Sequence, residues 1–129
     1  MQSALSARRL RLAGQTYAAF QTPAGPTSIA GAHHWRTAGY SIVRIDTQDG
    51  ISGYGECAPI EQSAFEAALA LIQGREATSF EVIRTLLSGS VEVAVNTALL
   101  DITGKLAKTP IYQVLGGPTR NKARAMAAL

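Results

Sequence analysis

The feature that most constrains this chain is a helical pattern that runs through residues 90–117. Apolar residues recur there at steps of three and four, which places them on one face of a helix. They are Val91, Val95, Ala98, Leu99, Ile102 and Leu106. Ser90 can cap the start of this helix, and Asp101 precedes Lys105 by four residues, in the orientation that favours an ion pair. The pattern predicts a long core helix.

A second, short helix is predicted directly after the first. Thr109 is a suitable N-cap residue, and Pro110 fits the first helical position because its missing N–H has no partner there anyway. Gly116 and Gly117 supply the positive φ at which helices end. Two helices therefore meet at a fixed corner.

Strands are predicted before the helices. Within residues 6–17, Leu10 and Leu12 alternate with Arg9 and Arg11, which is the period of a half-buried strand. Residues 40–48 are rich in β-branched side chains, and residues 51–57 return from the turn formed by Asp49 and Gly50. The three segments predict an antiparallel meander.

Two further helices are predicted between the meander and the long helix. Each shows a serine or threonine three residues before a glutamate, followed by a glycine that can end the helix. The pairs are Ser63 with Glu66 and Thr78 with Glu81, and the glycines are Gly74 and Gly89. The fold class is therefore α+β, a three-stranded antiparallel meander followed by a three- to four-helix bundle.

Composition excludes several classes of protein. The net charge is +3, but the basic residues are scattered and form no stripe with interleaved aromatics, so a nucleic-acid surface is not expected. No apolar run reaches the roughly 18 residues of a membrane span. One cysteine, Cys57, cannot form an internal disulfide, and the N-terminus lacks the apolar region of a signal peptide. We expect a soluble, cytoplasmic domain.

The last predicted strand carries the residues with the most chemical interest. Gly53 and Gly55 share one face of this strand. Their missing side chains permit a bulge there, or the close approach of a ligand or another backbone, and Glu56 points the other way. Glu56 is either a general acid or base or a carboxylate paired with an arginine or backbone donors, and we favour pairing. Cys57 has no neighbouring histidine, which favours a packed thiol over a nucleophile.

A long connection is predicted over residues 21–35, because this segment has no periodicity and is rich in proline and glycine. His33 and His34 are adjacent, so their side chains diverge in an extended backbone, and surface positions are favoured over a metal or proton-transfer role. Trp35 either anchors the end of this segment to the sheet or places its ring in a substrate pocket.

Several motifs together resemble a known family. They are DITGK at residues 101–105, PIY at 110–112, LGG at 115–117, VRI at 43–45 and GYGE at 53–56. In this order they resemble the N-terminal domain of the mandelate racemase and muconate lactonizing enzyme branch of the enolase superfamily. The sequence departs from that family at Asn96, where an acidic residue is usual.

The resemblance implies a division of the chain. Residues 1–121 correspond to an N-terminal capping domain, and residues 122–129 to the first strand of a (β/α) barrel that is absent. The apolar sequence KARAMAAL agrees with this, since a final strand without a partner leaves its ladder groups unpaired. An added edge strand or a frayed tail is the alternative interpretation.

The resemblance also implies an activity. Full-length relatives are metal-dependent racemases or epimerases, cycloisomerases or dehydratases that abstract a proton α to the carboxylate of a small substrate. Their Mg²⁺ ligands and catalytic bases stand on barrel strands, so we expect no catalytic residue, metal ligand or cofactor in this chain, and no activity from it alone. Its missing barrel would be its partner, and a homo-oligomer is possible.

Two segments correspond to loops that close over the barrel mouth in related enzymes, residues 21–35 and residues 57–62. The resemblance therefore implies seven substrate-binding candidates. They are Thr27, Ile29, His33, His34, Trp35, Pro59 and Ile60. The same segments also resemble members that act on hydroxyproline or proline-betaine type substrates. A different class of function stays open, a stand-alone α+β binding or assembly module without catalysis.

Overall fold

The structure is a computed structural model that describes residues 8–12, 15–19 and 26–128, with side chains from residue 26 onward. Strands β1 (Arg8–Leu12) and β2 (Gln15–Ala19) pair antiparallel, with Arg8 opposite Ala19. The prediction of one strand over residues 6–17 was therefore wrong for the part described here. Alternation alone does not show where one strand ends and the next begins.

The predicted three-stranded antiparallel meander is confirmed, but its first strand is a different one. Strands β3 (Ile29–Arg36), β4 (Ser41–Thr47) and β5 (Ser52–Cys57) form a sheet in the order β3-β4-β5. Strand β3 comes from the segment predicted as a connection, whose residues 21–25 lie outside the described part. Small side chains and a register shift between Ile29 and Gly31 remove the alternation that would have marked it as a strand.

The turn between β4 and β5 lies where the sequence predicted it. Gly50 has a φ of 86°, and its N–H donates to the Thr47 carbonyl at 3.0 Å. The Thr47 hydroxyl donates to the Asp49 carboxylate. Positive φ at Gly50 is the reason that a glycine serves here.

Four helices follow the sheet, as the sequence predicted. They are α1 (Gln62–Ile72), α2 (Phe80–Arg84), α3 (Gly89–Ala107) and α4 (Ile111–Val114). Helix α3 ends at Lys108, which has a φ of 52°, and Gly116 and Gly117 follow α4 with φ of 111° and 98°. The glycine prediction at this corner is confirmed.

Gly74 ends α1 as predicted, with a φ of 82°, but the predicted N-caps were wrong by one or two residues. The N-cap residues are Glu61, Ser79, Ser88 and Pro110, and none of them makes a side-chain capping hydrogen bond. Gly89 begins α3 and does not end α2. Packing against the sheet decides where these helices begin, because a cap contributes only about 1 kcal/mol.

The core lies between the sheet and the helices. Helix α3 packs across β5 and β4, α1 packs against β3, and α2 packs against α3. The fully buried large side chains of this core are Ile29, Val43, Ile45, Ile72, Ile83, Val95, Leu99 and Ile102. All helices with core contacts thus cover one face of the sheet and leave the other face to polar and aromatic residues.

Helix α3 approaches β5 so closely that two positions of the strand admit no side chain. A Cβ atom at Gly53 would lie 2.1 Å from the Ala98 carbonyl oxygen, and one at Gly55 would lie 1.8 Å from that of Ala94. Contacts this short do not occur in folded proteins. The prediction that a backbone can approach these glycines is confirmed, and the backbone is that of α3.

The predicted ion pair on α3 is confirmed and does more than stabilise the helix. Asp101 Oδ2 lies 3.0 Å from Lys105 Nζ and also accepts the Tyr54 N–H at 3.1 Å. Lys105 Nζ donates to the Ser52 carbonyl at 2.6 Å. The pair therefore joins the outer edge of β5 to α3.

Residues 122–128 are exposed and form neither helix nor strand. The assignment of this segment to a barrel strand, and the domain boundary at residue 121, stay predictions. None of the helices that the structure describes has the length and apolar character needed to cross a membrane.

Candidate functional site

The two histidines of β3 lie on opposite faces of the sheet, as expected for neighbours in an extended backbone. His33 lies on the outer face near Asp46, and His34 lies on the inner face near α1. Trp35 shares the outer face with His33. The strand therefore divides these three predicted residues between two different environments.

A polar and aromatic cluster covers the outer face. The Asp46 carboxylate contacts Arg44 Nε at 3.1 Å and His33 Nε2 at 3.5 Å, and it accepts the Ser52 hydroxyl at 2.5 Å. The Trp35 ring stacks on His33 with centroids 6.0 Å apart, and Arg44 Cζ lies 5.7 Å from its centroid. One cation of the chain itself thus lies over this ring, which anchors Trp35 to the sheet while 48% of the residue stays exposed.

On the inner face, His34 links three parts of the chain. Its Nδ1 lies 2.9 Å from Gln62 Oε1, and its Nε2 lies 2.9 Å from Ser41 Oγ. Ser41 Oγ also accepts the Ile60 N–H at 3.0 Å. The imidazole stacks on Phe65 with centroids 5.2 Å apart. This histidine has neither a metal environment nor an exposed ring.

A surface ion pair joins the same two regions. Arg36, the last residue of β3, donates to Glu61, the residue before α1, at 2.7 Å. The end of β3 and the loop of residues 58–61 are thus held together. These are parts of the two segments for which the resemblance implied a capping role, and we call this region the β3–α1 corner.

The structure does not bring all seven predicted substrate residues together. Thr27 lies at the other end of β3, where its carbonyl accepts the Ala77 N–H at 3.1 Å, and the strand separates Ile29 from Trp35 by about 20 Å. Ile29 and Ile60 belong to the core, with 0% and 8% exposure. At the β3–α1 corner the exposed members of the set are Trp35 and Pro59. Substrate contact stays a prediction for the set.

Two cavities lie elsewhere in the described part of the chain. One, of about 390 Å³, lies at the corner of α3 and α4 beside Asp101, Lys105 and Pro110. The other, of about 500 Å³, lies between Tyr112 and Arg120. None of the seven predicted residues lines either cavity.

No metal site exists among the residues that the structure describes, because no three His, Cys, Asp or Glu side chains converge. The outer cluster offers a single carboxylate, and Arg44 and Ser52 already occupy its oxygens. A hard divalent cation such as Mg²⁺ needs several oxygen ligands. The described residues therefore do not fit the metal that the resemblance implies for the full-length enzyme.

Glu56 and Cys57 stand at the end of β5. Glu56 lies exposed on the outer face opposite Ile42, and within residues 26–128 no hydrogen bond or ion pair joins its carboxylate to another side chain. Our expectation of structural pairing was wrong in this part of the chain. Cys57 packs against the core, so the expectation of a packed thiol is confirmed. Burial, and to a smaller degree the Glu56 charge, raises the pKa of this thiol.

The raised pKa of Cys57 predicts a shifted alkylation profile. The rate of reaction with iodoacetamide is expected to rise at higher pH in the folded protein than in urea, because the thiolate is the reactive form. Glu56→Gln removes the second cause and moves the profile to lower pH, whereas Glu81→Gln on α2 leaves it in place. The raised pKa stabilises the fold fully below the unfolded pKa, and this contribution is lost as pH rises through the folded pKa. Coincident folded and unfolded profiles would contradict the assignment.

Sequence reasoning missed several residues of the β3–α1 corner. Ser41, Gln62 and the Arg36–Glu61 pair contact partners that lie 7, 28 and 25 residues away along the chain. No local spacing marks such contacts. The register of β3 against β4 would have revealed the Ser41 contact, because Ser41 pairs with Arg36 directly beside the histidines.

Two curated relatives are similar to this chain over about two thirds of its length. A protein from Pseudarthrobacter chlorophenolicus named D-galactonate dehydratase family member is 34% identical over 103 residues, which cover 67% of this chain and 25% of that protein. The arabinonate dehydratase of Saccharolobus solfataricus is 38% identical over 99 residues, covering 63% and 26%. The chain thus spans about a quarter of the length of these relatives.

Solved structures agree with the sequence comparison. The dipeptide epimerase from Enterococcus faecalis is 26% identical and superimposes with a TM-score of 0.62. The match covers 70% of this chain and 33% of the epimerase chain. Residues 14–116 match the family described as the mandelate racemase / muconate lactonizing enzyme, N-terminal domain. Both the α+β fold and the resemblance found in the sequence are confirmed. The chain belongs to the mandelate racemase / muconate lactonizing enzyme, N-terminal domain family.

Proposed function

We propose that this chain is the substrate-capping domain of a metal-dependent dehydratase that acts on a polyhydroxylated carboxylate. The observation that carries the proposal is the family match over residues 14–116, in a chain that spans 25% and 26% of two proteins named as dehydratases. Those proteins are about four times as long as the matched domain, which leaves room for a catalytic domain after it.

The names of the relatives favour one reaction among those of the family. Galactonate and arabinonate are aldonates, which carry a hydroxyl group on each of the two carbons next to the carboxylate. Dehydration removes the proton α to the carboxylate, expels the β-hydroxyl as water and leaves an enol that becomes a 2-keto-3-deoxy acid. We therefore propose aldonates as the substrate class, in place of the proline derivatives that the capping segments resembled.

The chain's own contribution is enclosure of the substrate. The β3–α1 corner presents the exposed side chains of Trp35 and Pro59 on a backbone that the Arg36–Glu61 pair and the His34 contacts hold in place. A rigid edge of this kind can exclude water from a site that a second domain completes. The Trp35 ring and Pro59 are each suited to contact the C–H face of a sugar acid, while its hydroxyl groups would face the second domain.

Metal chemistry belongs to the part of the enzyme outside this chain. When bound, a divalent cation such as Mg²⁺ would stabilise the enediolate that forms as the α-proton leaves. The described residues offer no ligand set for it. The chain is accordingly proposed to bind and shield the substrate without transferring protons.

The test compares this chain with the longest natural product of its gene. Both are incubated with galactonate and arabinonate in the presence of Mg²⁺, and 2-keto-3-deoxy acid is measured. In parallel, deuterium exchange at the α-carbon is followed in D₂O. We expect dehydration by the longer protein and a rate equal to the blank for residues 1–129.

Each other outcome excludes a defined part of the proposal. Turnover by the 129-residue chain would overturn the division between cap and catalytic domain. Deuterium exchange without dehydration by the longer protein would replace the dehydratase with a racemase or epimerase. Absence of both reactions for every carboxylate tested would favour the alternative function, a binding or assembly module.

A further inference from the structure

The hydrogen bonds around His34 define which protons the network holds. Gln62 Nε2 donates to Glu66 Oε1 at 3.1 Å, so the amide oxygen of Gln62 is the atom that faces His34 Nδ1. Because an amide oxygen only accepts, Nδ1 carries the imidazole proton. In the neutral imidazole, Nε2 is then an acceptor, and the hydroxyl that reaches it belongs to Ser41.

The same logic extends through Ser41 to the loop. The Ser41 hydroxyl donates to His34 Nε2, and its oxygen accepts the Ile60 N–H at 3.0 Å. A continuous row of hydrogen bonds thus runs from the Ile60 N–H in the loop, through Ser41 and His34, to Gln62 in the first turn of α1. The directions of the bonds agree with one tautomer of His34, the neutral form protonated at Nδ1.

Because the network is buried, it favours one position of the loop over others. Ser41 has no exposed surface and Ile60 is 8% exposed. If the loop moved, the Ile60 N–H and the Ser41 hydroxyl would both lose partners in a place that water does not reach. The stack of His34 on Phe65 fixes the ring against α1 as well.

We infer that His34 is a positioning residue, which acts through Ser41 to hold the loop of residues 58–61 in one place before any substrate binds. The inference rests on the proposed function, because it gives a role to the loop that forms one side of the cap. It changes the role expected for His34, from substrate contact to support of the segment that carries Pro59. Trp35, on the opposite face of the strand, is not part of this support.

The test uses hydrogen exchange of the Ile60 amide in the purified protein. His34→Phe keeps the aromatic ring that stacks on Phe65 but removes both nitrogens, and Ser41→Ala removes the hydroxyl. Each is expected to speed exchange at Ile60 about tenfold. Because His34 acts through Ser41, the double variant should exchange no faster than Ser41→Ala alone.

Two controls separate positioning from a general loss of stability. The amide of Ile45, in the centre of the sheet, reports global opening, and Ile60 should be accelerated more than Ile45 in each variant. His33→Phe makes the same substitution one residue earlier, on the outer face, and should leave Ile60 unchanged. In the neutral imidazole of His34, ring nitrogen NMR shifts should show the proton on Nδ1.

Contrary results are equally defined. Unchanged Ile60 exchange in His34→Phe, additive effects in the double variant, parallel acceleration at Ile45, or a proton on Nε2 would each overturn the inference. None of these readouts depends on turnover. A protein that fails the aldonate assay but shows coupled exchange at Ile60 would disprove the proposed function and leave the positioning role intact.

Discussion

Replacement of Gly55 by alanine is expected to destabilise the domain by about 3 kcal/mol or more, at or above the upper end of the usual cost of overpacking. The added methyl would lie 1.8 Å from the Ala94 carbonyl oxygen and 3.0 Å from the Ala94 Cα. Both atoms belong to the backbone of α3, so no side-chain rotation relieves the contact. Helix and strand must separate, which opens the core at its centre.

Thermal and urea denaturation measure this effect, and we expect the melting temperature to fall by roughly 10 °C. Gly39→Ala is the matched control, since a Cβ at Gly39 has nothing within 4 Å and its φ is not in the left-handed region. That variant should melt within about 2 °C of the original protein. Equal stability of the two variants would show that α3 does not approach β5 as the structure has it.

Truncation of Leu99 is the second large effect. Leu99 has 0% exposure and belongs to the core cluster with Val43 and Ile45. Leu99→Ala removes buried apolar surface and leaves a cavity, because helix and sheet backbones relax only in part. We expect a loss of about 2 to 5 kcal/mol in the free energy of unfolding.

Leu115→Ala provides the control for the same chemical change. Leu115 follows α4 and is 61% exposed, so its truncation should alter the free energy of unfolding by about 0.5 kcal/mol or less. The urea midpoint of the two variants gives the comparison. If Leu115→Ala lowered the free energy of unfolding more than Leu99→Ala, the placement of Leu99 in the core would be contradicted.

Periodicity predicted the parts of the fold whose burial is one-sided and regular. Helix α3 repeats apolar residues on one face because that face packs on the sheet, and the turn at Gly50 needs a positive φ that few residues adopt. Strand β3 escaped prediction because its residues alternate neither in size nor in polarity. It becomes a strand through pairing with β4, a contact that no local pattern records.

The site could be predicted only as far as its segments. Motif order predicted two capping segments, since the resembling family places such segments at fixed points along the chain. Which side chains point outward depended on the register of β3, so the list mixed exposed Trp35 and Pro59 with buried Ile29 and Ile60. The contacts of Ser41 and Gln62 with His34 are tertiary, and they change His34 from a substrate candidate into a support for the loop.

We propose that this domain caps a second, catalytic domain of the same protein. Measurement of the intact mass of the natural gene product, isolated from the source cells, tests this proposal. We expect a mass larger than the 13.6 kDa of these residues by a barrel of roughly 250 residues. A natural product of 13.6 kDa would contradict the claim and leave the β3–α1 corner with a partner on another chain or with none.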